Sequence, residues 1–429
     1  MATEARRIAF RILREVDRGG ATLADLLAQP AAERLDPRDR SFLHELVLGT
    51  LRHRGALDHS LAAHVDRPLE QLDPDVLTAM RLGASQLLRL RVPARAAVSE
   101  SVDLAKERAP RASGLVNAVL RRLAREGPRP APDPQTDPLA WLTTAGSLPL
   151  WLADRWIARL GPEVAVARGK ALLEEPVTAF RLNPRIGDAL ARVENAGLDP
   201  RRLTVPGAWA GSNGSAAVAL ASEAVIYIQD EGAQMVAHLG AAAGLVLDAC
   251  AAPGGKAMLM ADLHPTAARV VAAEASSRRL LTLAERVRRW GAGNVLVVGA
   301  DALRPPLRRR FHSVLLDVPC SGLGTLSRHP DIRWRASGQD LAGHARRQRE
   351  MLEAVAPLVL PGGKLVYATC SSEPEENEDV VRPFLDAHPE FVPATLPGWA
   401  RPFADGPFAR TRPERDGGDV FFAAVLGRA

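Results

Sequence analysis

Along residues 1–127 the apolar positions recur with the period of a helix. Ile8, Ile12, Leu13 and Val16 share one face, and Phe42, Leu43, Leu46, Val47 and Leu51 form another. Two further helices are marked at their starts. Asp36 stands before Pro37 and Asp73 before Pro74, each an N-cap acceptor followed by the residue that suits the first helical turn. Val98, Val102 and Leu104 predict another helix, and Leu115, Val116, Val119, Leu120 and Leu123 a last one. Gly127 and the proline-rich run 128–138 end the bundle, so that run reads as a linker.

Within 139–220, Trp151, Trp156 and Leu160 predict a short helix, and Phe180-Arg181-Leu182-Asn183-Pro184 predicts a strand running into a turn. A small α/β subdomain is expected there. From 221 to 429 strand and helix alternate. The strand candidates are 225–228, 245–248, 270–273, 295–298, 314–317, 364–368 and 420–425, separated by segments of helix length such as 278–290 and 341–360. That alternation predicts a mostly parallel, seven-stranded sheet covered on both faces. Ligands on such sheets bind beyond the carboxyl ends of the strands.

Composition narrows the setting. Hydrophobic residues at 47% and charged residues at 24% are the balance of a globular chain. No apolar run approaches the ~18 residues of a membrane span, and the first residues form an amphipathic pattern rather than a signal peptide. A cytoplasmic protein with no membrane partner is expected. Only Cys250, Cys320 and Cys370 occur, and no CxxC pair is present, which argues against a disulfide framework and against a metal site. Residues 1–130 hold 22 Lys+Arg and 17 Asp+Glu, leaving 55 − 22 = 33 and 50 − 17 = 33 for the remainder. The whole formal excess of +5 therefore lies in the helical region, which fits an anionic partner there about as well as it fits a plain solvated surface.

The strongest chemical signal is LDACAAPGGK, which follows a predicted strand. It sets an acid at the strand end, then Cys250, Ala251, Ala252, Pro253, Gly254, Gly255 and Lys256, a backbone that a ligand can approach closely. The next helix aims its N-terminus at the same place. Glu274 and Asp301 end the following two strands, where they can meet ribose hydroxyls and a base. No GxGxxG and no Walker lysine motif occurs, so a dinucleotide or ATP fits less well. Two later strands end in LLDVPCSGLGT and VYATCSSEPEEN, which leave Cys320 and Cys370 on the ligand-binding edge, each next to a serine, with Asp317 just before the first. Near a helix start a thiol ionises more readily and becomes a nucleophile.

At these residues the chain resembles the bacterial ribosomal RNA cytosine-C5 methyltransferases of the Sun (Fmu, RsmB) type. DACAAPGGK, DVPCSGLGTLSRHPDIRW and YATCSSEPEENE carry the likeness in the second half. DRSFLHELVLGTLRHRGALDH, VPARAAVSESVDLAK and SGLVNAVLRRL resemble the NusB-type RNA-binding bundle of such enzymes. Ala257 stands where threonine is usual after GGK, Glu274 where aspartate is common, and Ala233 where serine is typical.

The resemblance implies a multidomain protein: an all-α NusB-like domain at 1–127, a linker at 128–138, an α/β RNA-recognition subdomain at 139–220, and a Rossmann-like S-adenosylmethionine-dependent methyltransferase domain at 221–429. It implies action on 16S ribosomal RNA; a monomer without a metal is expected. Cys370 would attack C6 of the cytosine and Cys320 would aid product release. The loop from Cys250 to Lys256, with Glu274, Asp301 and Asp317, would line the methyl-donor site. Asp317 also stands where it could steady N3 of the base. Arg52, Arg54, Arg121, Arg122 and Arg125 are the expected phosphate contacts in the helical domain. Two alternatives stay open. One is a cytosine-C5 methyltransferase acting on transfer RNA or another ribosomal site. The other is a non-catalytic RNA-binding assembly or antitermination factor, against which the intact cysteines and donor loop weigh.

Overall fold

The computed structural model describes residues 2–90 and 92–429. Met1 and Arg91, inside the expected 1–127 domain, lie outside the described residues. The chain divides into two compact units, Met1–Glu175 with Leu326–Gly338, and Pro176–Thr325 with Gln339–Ala429.

In the first unit the helices include Glu4–Arg18, Pro37–Arg52, Arg54–Ala62, Pro74–Leu88, Ala94–Arg108 and Ser113–Glu126. The expected caps are made. Asp36 accepts from the Asp39 amide at 2.9 Å, and Asp73 accepts from the Asp75 amide at 2.8 Å. Ile8, Ile12, Val16, Leu43, Leu46, Val116 and Leu120 meet in one core. The helices Pro138–Thr143, Leu150–Leu160 and Pro162–Ala171 also belong to this unit, so the stretch expected as one subdomain at 139–220 is shared between the two units.

The segment Leu326–Gly338 belongs to the helical unit although sequence order sets it in the other half. Arg333 explains this membership. It is wholly buried, and its guanidinium donates only to backbone carbonyls: Nη1 to Arg52, Gly146 and Ser147 at 3.2, 3.3 and 3.3 Å, and Nη2 to Leu172 and Leu326 at 2.8 and 3.4 Å. The Trp334 indole donates to the Leu51 carbonyl at 2.9 Å. Two arginines expected on an RNA surface serve this packing instead. Arg52 is buried and donates to the Ser327 carbonyl at 3.0 Å, while Arg54 pairs with Asp17 at 2.7 Å and lies over the Trp334 ring at 4.9 Å. Arg121, Arg122 and Arg125 are exposed.

In the second unit the strands of the described residues form two sheets. The smaller is antiparallel and combines β1 (Thr178–Leu182), β2 (Arg201–Arg202), β3 (Ala208–Gly211) and β4 (Ile226–Ile228) in the order β2-β3-β1-β4. The expected strand 225–228 is thus β4 of this sheet and not part of the larger one. A short apolar run does not encode its partner, and here Phe180 opposes Ile228. Phe180, Val193, Leu198, Ala217 and Ile226 form its core.

The larger sheet contains β5 (Gly244–Asp248), β6 (Ala268–Glu274), β7 (Val295–Gly299), β8 (Phe311–Asp317), β9 (Val359–Thr369), β10 (Phe391–Pro393), β11 (Ala404–Asp405), β12 (Phe408–Arg410) and β13 (Phe422–Arg428). Its order is β11-β12-β13-β9-β8-β5-β6-β7, with β10 on β13. Strands β7, β6, β5, β8 and β9 run parallel, and the remaining strands extend one side antiparallel. The connections reverse direction at β5 and β8, so a crevice opens beyond their carboxyl ends.

Candidate active site

Asp248 ends β5, and the loop after it turns through Gly254, whose φ of +110° suits glycine. A Cβ on Gly255 would come within 2.9 Å of the Tyr227 ring and 3.3 Å of Gln229 Nε2. The bare backbone and these two side chains form one wall of a cavity of about 210 Å³, which Asp248, Cys250, Lys256, Arg286 and Asp317 also line. Tyr227 is held there from behind. The Arg181 guanidinium lies over its ring at 5.1 Å and over Trp290 at 4.4 Å, and pairs with the buried Asp262 at 2.7 Å. A larger cavity of about 610 Å³ opens on the helical unit beside Arg11, Arg14 and Arg18, but no cysteine lines it.

The cavity is electrically uneven. Lys256 pairs with Asp317 at 2.7 Å. Burial works against the Lys256 charge, but Asp317, Asp248 and Cys370 outweigh it, and its pKa rises above the usual ammonium value. Asp248 has no such partner. Both carboxylate oxygens are buried, and among the described residues no side chain donates to them; the Cys250 backbone amide and the Lys256 charge ease its ionisation without offsetting burial. Burial, and then the neighbouring Asp317, pushes its pKa up to about 7. Burial likewise drives the Cys250 thiol well above its ordinary value, so Cys250 is a neutral wall residue.

Glu274, at the end of β6, is buried and accepts from the Ser276 amide and from Arg279, each at 2.8 Å. Asp301 follows β7, is exposed, and accepts from the Leu303 amide at 3.0 Å. Neither lines the cavity, whereas Asp317 and the loop from Cys250 to Lys256 largely do. Tyr227 and Arg286 were not singled out from the sequence, because they come from β4 and from the helix Ser277–Trp290, far from the glycine motif.

Cys320 follows β8 and Cys370 follows β9, two neighbouring parallel strands, so both loops leave the same sheet edge. Their sulfurs lie 3.3 Å apart. The Gly324 amide donates to the Cys370 carbonyl at 2.9 Å, joining the two loops through their backbones. The hydrogen bond with Cys370, followed by burial, holds the Cys320 pKa well above that of an ordinary thiol. Cys320 is therefore a neutral thiol beside its partner. Among the described residues no cluster of His, Cys, Asp or Glu is arranged to hold a metal ion, and no helix is long and apolar enough to cross a membrane.

Residues 240–427 match the family described as 16S rRNA methyltransferase RsmB/F, and residues 3–125 match the NusB family. The ribosomal RNA small subunit methyltransferase B of Thermus thermophilus is 37% identical, over 99% of this chain and 97% of that protein. The protein of the same name from Pseudomonas putida is 34% identical, over 98% of each. A solved methyltransferase homologue from Pyrococcus horikoshii superposes with a TM-score of 0.58 at 26% identity, over 68% of this chain and 99% of its own. Likeness of this extent along nearly the whole length means that this chain belongs to the RsmB/F family, as an S-adenosylmethionine-dependent RNA methyltransferase with a NusB-type helical region.

Proposed function

We propose that this enzyme methylates C5 of a cytosine in 16S ribosomal RNA through a covalent bond between Cys370 and C6 of the base. The observation that carries this reading is the pair of thiols 3.3 Å apart beside the donor cavity. C5 of a neutral cytosine is a weak nucleophile. Addition of a thiolate at C6 turns C5 into the nucleophilic end of an enamine, which splits one hard step into easier ones.

The cavity residues suit the methyl donor. Asp248 is a buried acceptor to which no side chain donates, and the ammonium of the donor's methionine portion would satisfy it. Gly254 and Gly255 leave the backbone bare for close approach. Glu274 and Asp301, at the next two strand ends, are proposed for the ribose hydroxyls and the adenine. When bound, the donor supplies an electrophilic methyl group on a sulfonium.

The chain's own groups do the rest. Lys256 stands close enough to Cys370 to feel its charge, so its ammonium is the cation at hand for that sulfur. Asp317, held by Lys256, accepts a hydrogen bond from N3–H once that nitrogen has taken a proton from water during addition. After methyl transfer water takes the C5 proton, the electrons of the C6–S bond return to Cys370, and N3 gives its proton back to water. Cys320 remains a thiol and can donate to the departing sulfur.

Bisulfite sequencing of total RNA from a strain lacking the gene tests chemistry and address together. Loss of one protected cytosine in 16S ribosomal RNA is the expected result. An unchanged ribosomal pattern would overturn the proposal, and a loss confined to transfer RNA would move the address.

A further inference from the structure

Glu376 is wholly buried, yet among the described residues its carboxylate accepts only from neutral donors. Oε1 accepts from the Ser321 amide at 2.9 Å and from Gln348 Nε2 at 3.0 Å, and Oε2 accepts from the hydroxyls of Ser321 and Ser371, each at 2.5 Å. Ser321 follows Cys320 and Ser371 follows Cys370. Gln348 also donates to the Pro319 carbonyl, just before Cys320, at 3.1 Å. The Tyr367 hydroxyl donates to the Glu376 carbonyl at 2.6 Å and so fixes the backbone that presents the carboxylate. A buried carboxylate is costly to keep, and this one joins the two cysteine loops.

We propose that Glu376 is the positioning residue of the two-thiol centre: as the shared acceptor of both loops, it sets the separation of the Cys320 and Cys370 sulfurs. The effect on methylation rests on the function proposed above, but the separation itself is testable without it. The charge of Glu376 also bears on the sulfur it supports. After the Cys370 hydrogen bond, burial and the charge of Cys370, it adds to the forces that keep Cys320 protonated. Tyr367 feels Cys320 together with Arg349 and Asp317, Lys256 feels Cys370 together with Asp317 and Asp248, and the buried Glu373 donates its amide to the Ser371 hydroxyl at 3.1 Å.

Phenylarsine oxide tests the spacing, because it condenses with two adjacent thiols, closes a ring of arsenic and two sulfurs, and releases water. Full-length wild-type protein should take up one arsenical and lose alkylation at both Cys320 and Cys370, read by peptide mass spectrometry. Folded Glu376→Ala should capture it about tenfold more weakly. Its kcat should fall about a hundredfold, the scale expected when reacting groups are misplaced by an ångström, with donor affinity unchanged. Glu376→Gln can accept from the Ser321 amide and Gln348 and donate to both hydroxyls. It should keep the capture, while the pH midpoint of Cys320 alkylation moves down because the negative charge is gone. Should Glu376→Ala not fold, the double variant Ser321→Ala/Ser371→Ala removes both hydroxyl arms and should weaken capture in the same way. Wild-type capture and kcat in a folded Glu376→Ala, or in the double variant, would overturn the proposal. Wild-type protein that captures the arsenical, with the variants losing it, supports the strut even if no RNA is methylated; that result would defeat only the function proposed above.

Discussion

Lys256 and Asp317 meet at 2.7 Å inside the cavity beyond β5, and that pairing leaves Asp248 as the acid there with no side-chain partner. Asp248, Asp317, Lys256 and Arg286 share the space, and because Lys256 pairs with Asp317 it is Asp248 that stays available. A cationic ligand finds its counter-charge at Asp248.

Donor binding should therefore depend on pH. Asp248 is pushed up to about 7 by burial and then by Asp317, so it ionises only near and above that value. Affinity for S-adenosylmethionine should rise between pH 6 and 8 and then level. The stability term has the opposite sign: between the unfolded value of about 4 and about 7, the folded state keeps a proton that the unfolded state has released. Stability from this group is full below the lower value and is lost as pH climbs through the window. Asp248→Asn should flatten both trends in calorimetry; a persisting slope of donor affinity would remove Asp248 as the titrating group.

The two thiols should fail differently. Cys370→Ala should abolish methylation and form no adduct. Cys320→Ala should complete addition and methyl transfer and then stall with RNA joined to Cys370. The measurement is a band that survives denaturing electrophoresis and forms only with donor and target RNA. Reversed behaviour would hand the nucleophile's role to Cys320, and two active variants without adduct would refute covalent catalysis.

Arg333→Met should destabilise the helical unit. It would leave the carbonyls of Arg52, Gly146, Ser147, Leu172 and Leu326 without their donor. At about 1–3 kcal/mol for each buried group left unsatisfied, partly relieved by water, the loss should be at least about 3 kcal/mol. Urea unfolding of the full chain measures it. A midpoint equal to the parent's would show that those carbonyls find other donors.

RNA affinity of the full chain should carry a salt dependence to which Arg121 and Arg122 contribute. Both are exposed on the helix Ser113–Glu126. Replacing both by alanine should reduce the log–log slope against salt by roughly 0.7 for each single-strand phosphate that is no longer neutralised. The same change at Arg54 should act through stability instead, since that side chain is committed to Asp17 and Trp334. An unaltered slope in Arg121→Ala/Arg122→Ala would place the phosphate track elsewhere.

Features encoded by neighbouring residues were readable from the chain. The Asp36 and Asp73 caps, the bend at Gly254 and the alternation that makes the parallel core each depend on a few adjacent positions. Features encoded by partners far away were not. The run EPEE offers three glutamates, and only the fold shows that Glu376 turns inward to Ser321, 55 positions distant. Strands of two or three residues such as β11 and β12 are too short to show a period. Arg52 and Arg54 looked like surface cations because nothing local announces that Ser327 and Trp334 will cover them.

The docking of Leu326–Gly338 into the helical unit also bears on how such a gene can be cut or joined. A fragment ending at Glu175 would lack the guanidinium that gathers five carbonyls, and one beginning at Pro176 would carry Arg333 and Trp334 with nothing to receive them. Fission at any single point between the halves leaves both products incomplete. A free-standing catalytic module could arise from this chain only by rewriting or shedding that segment.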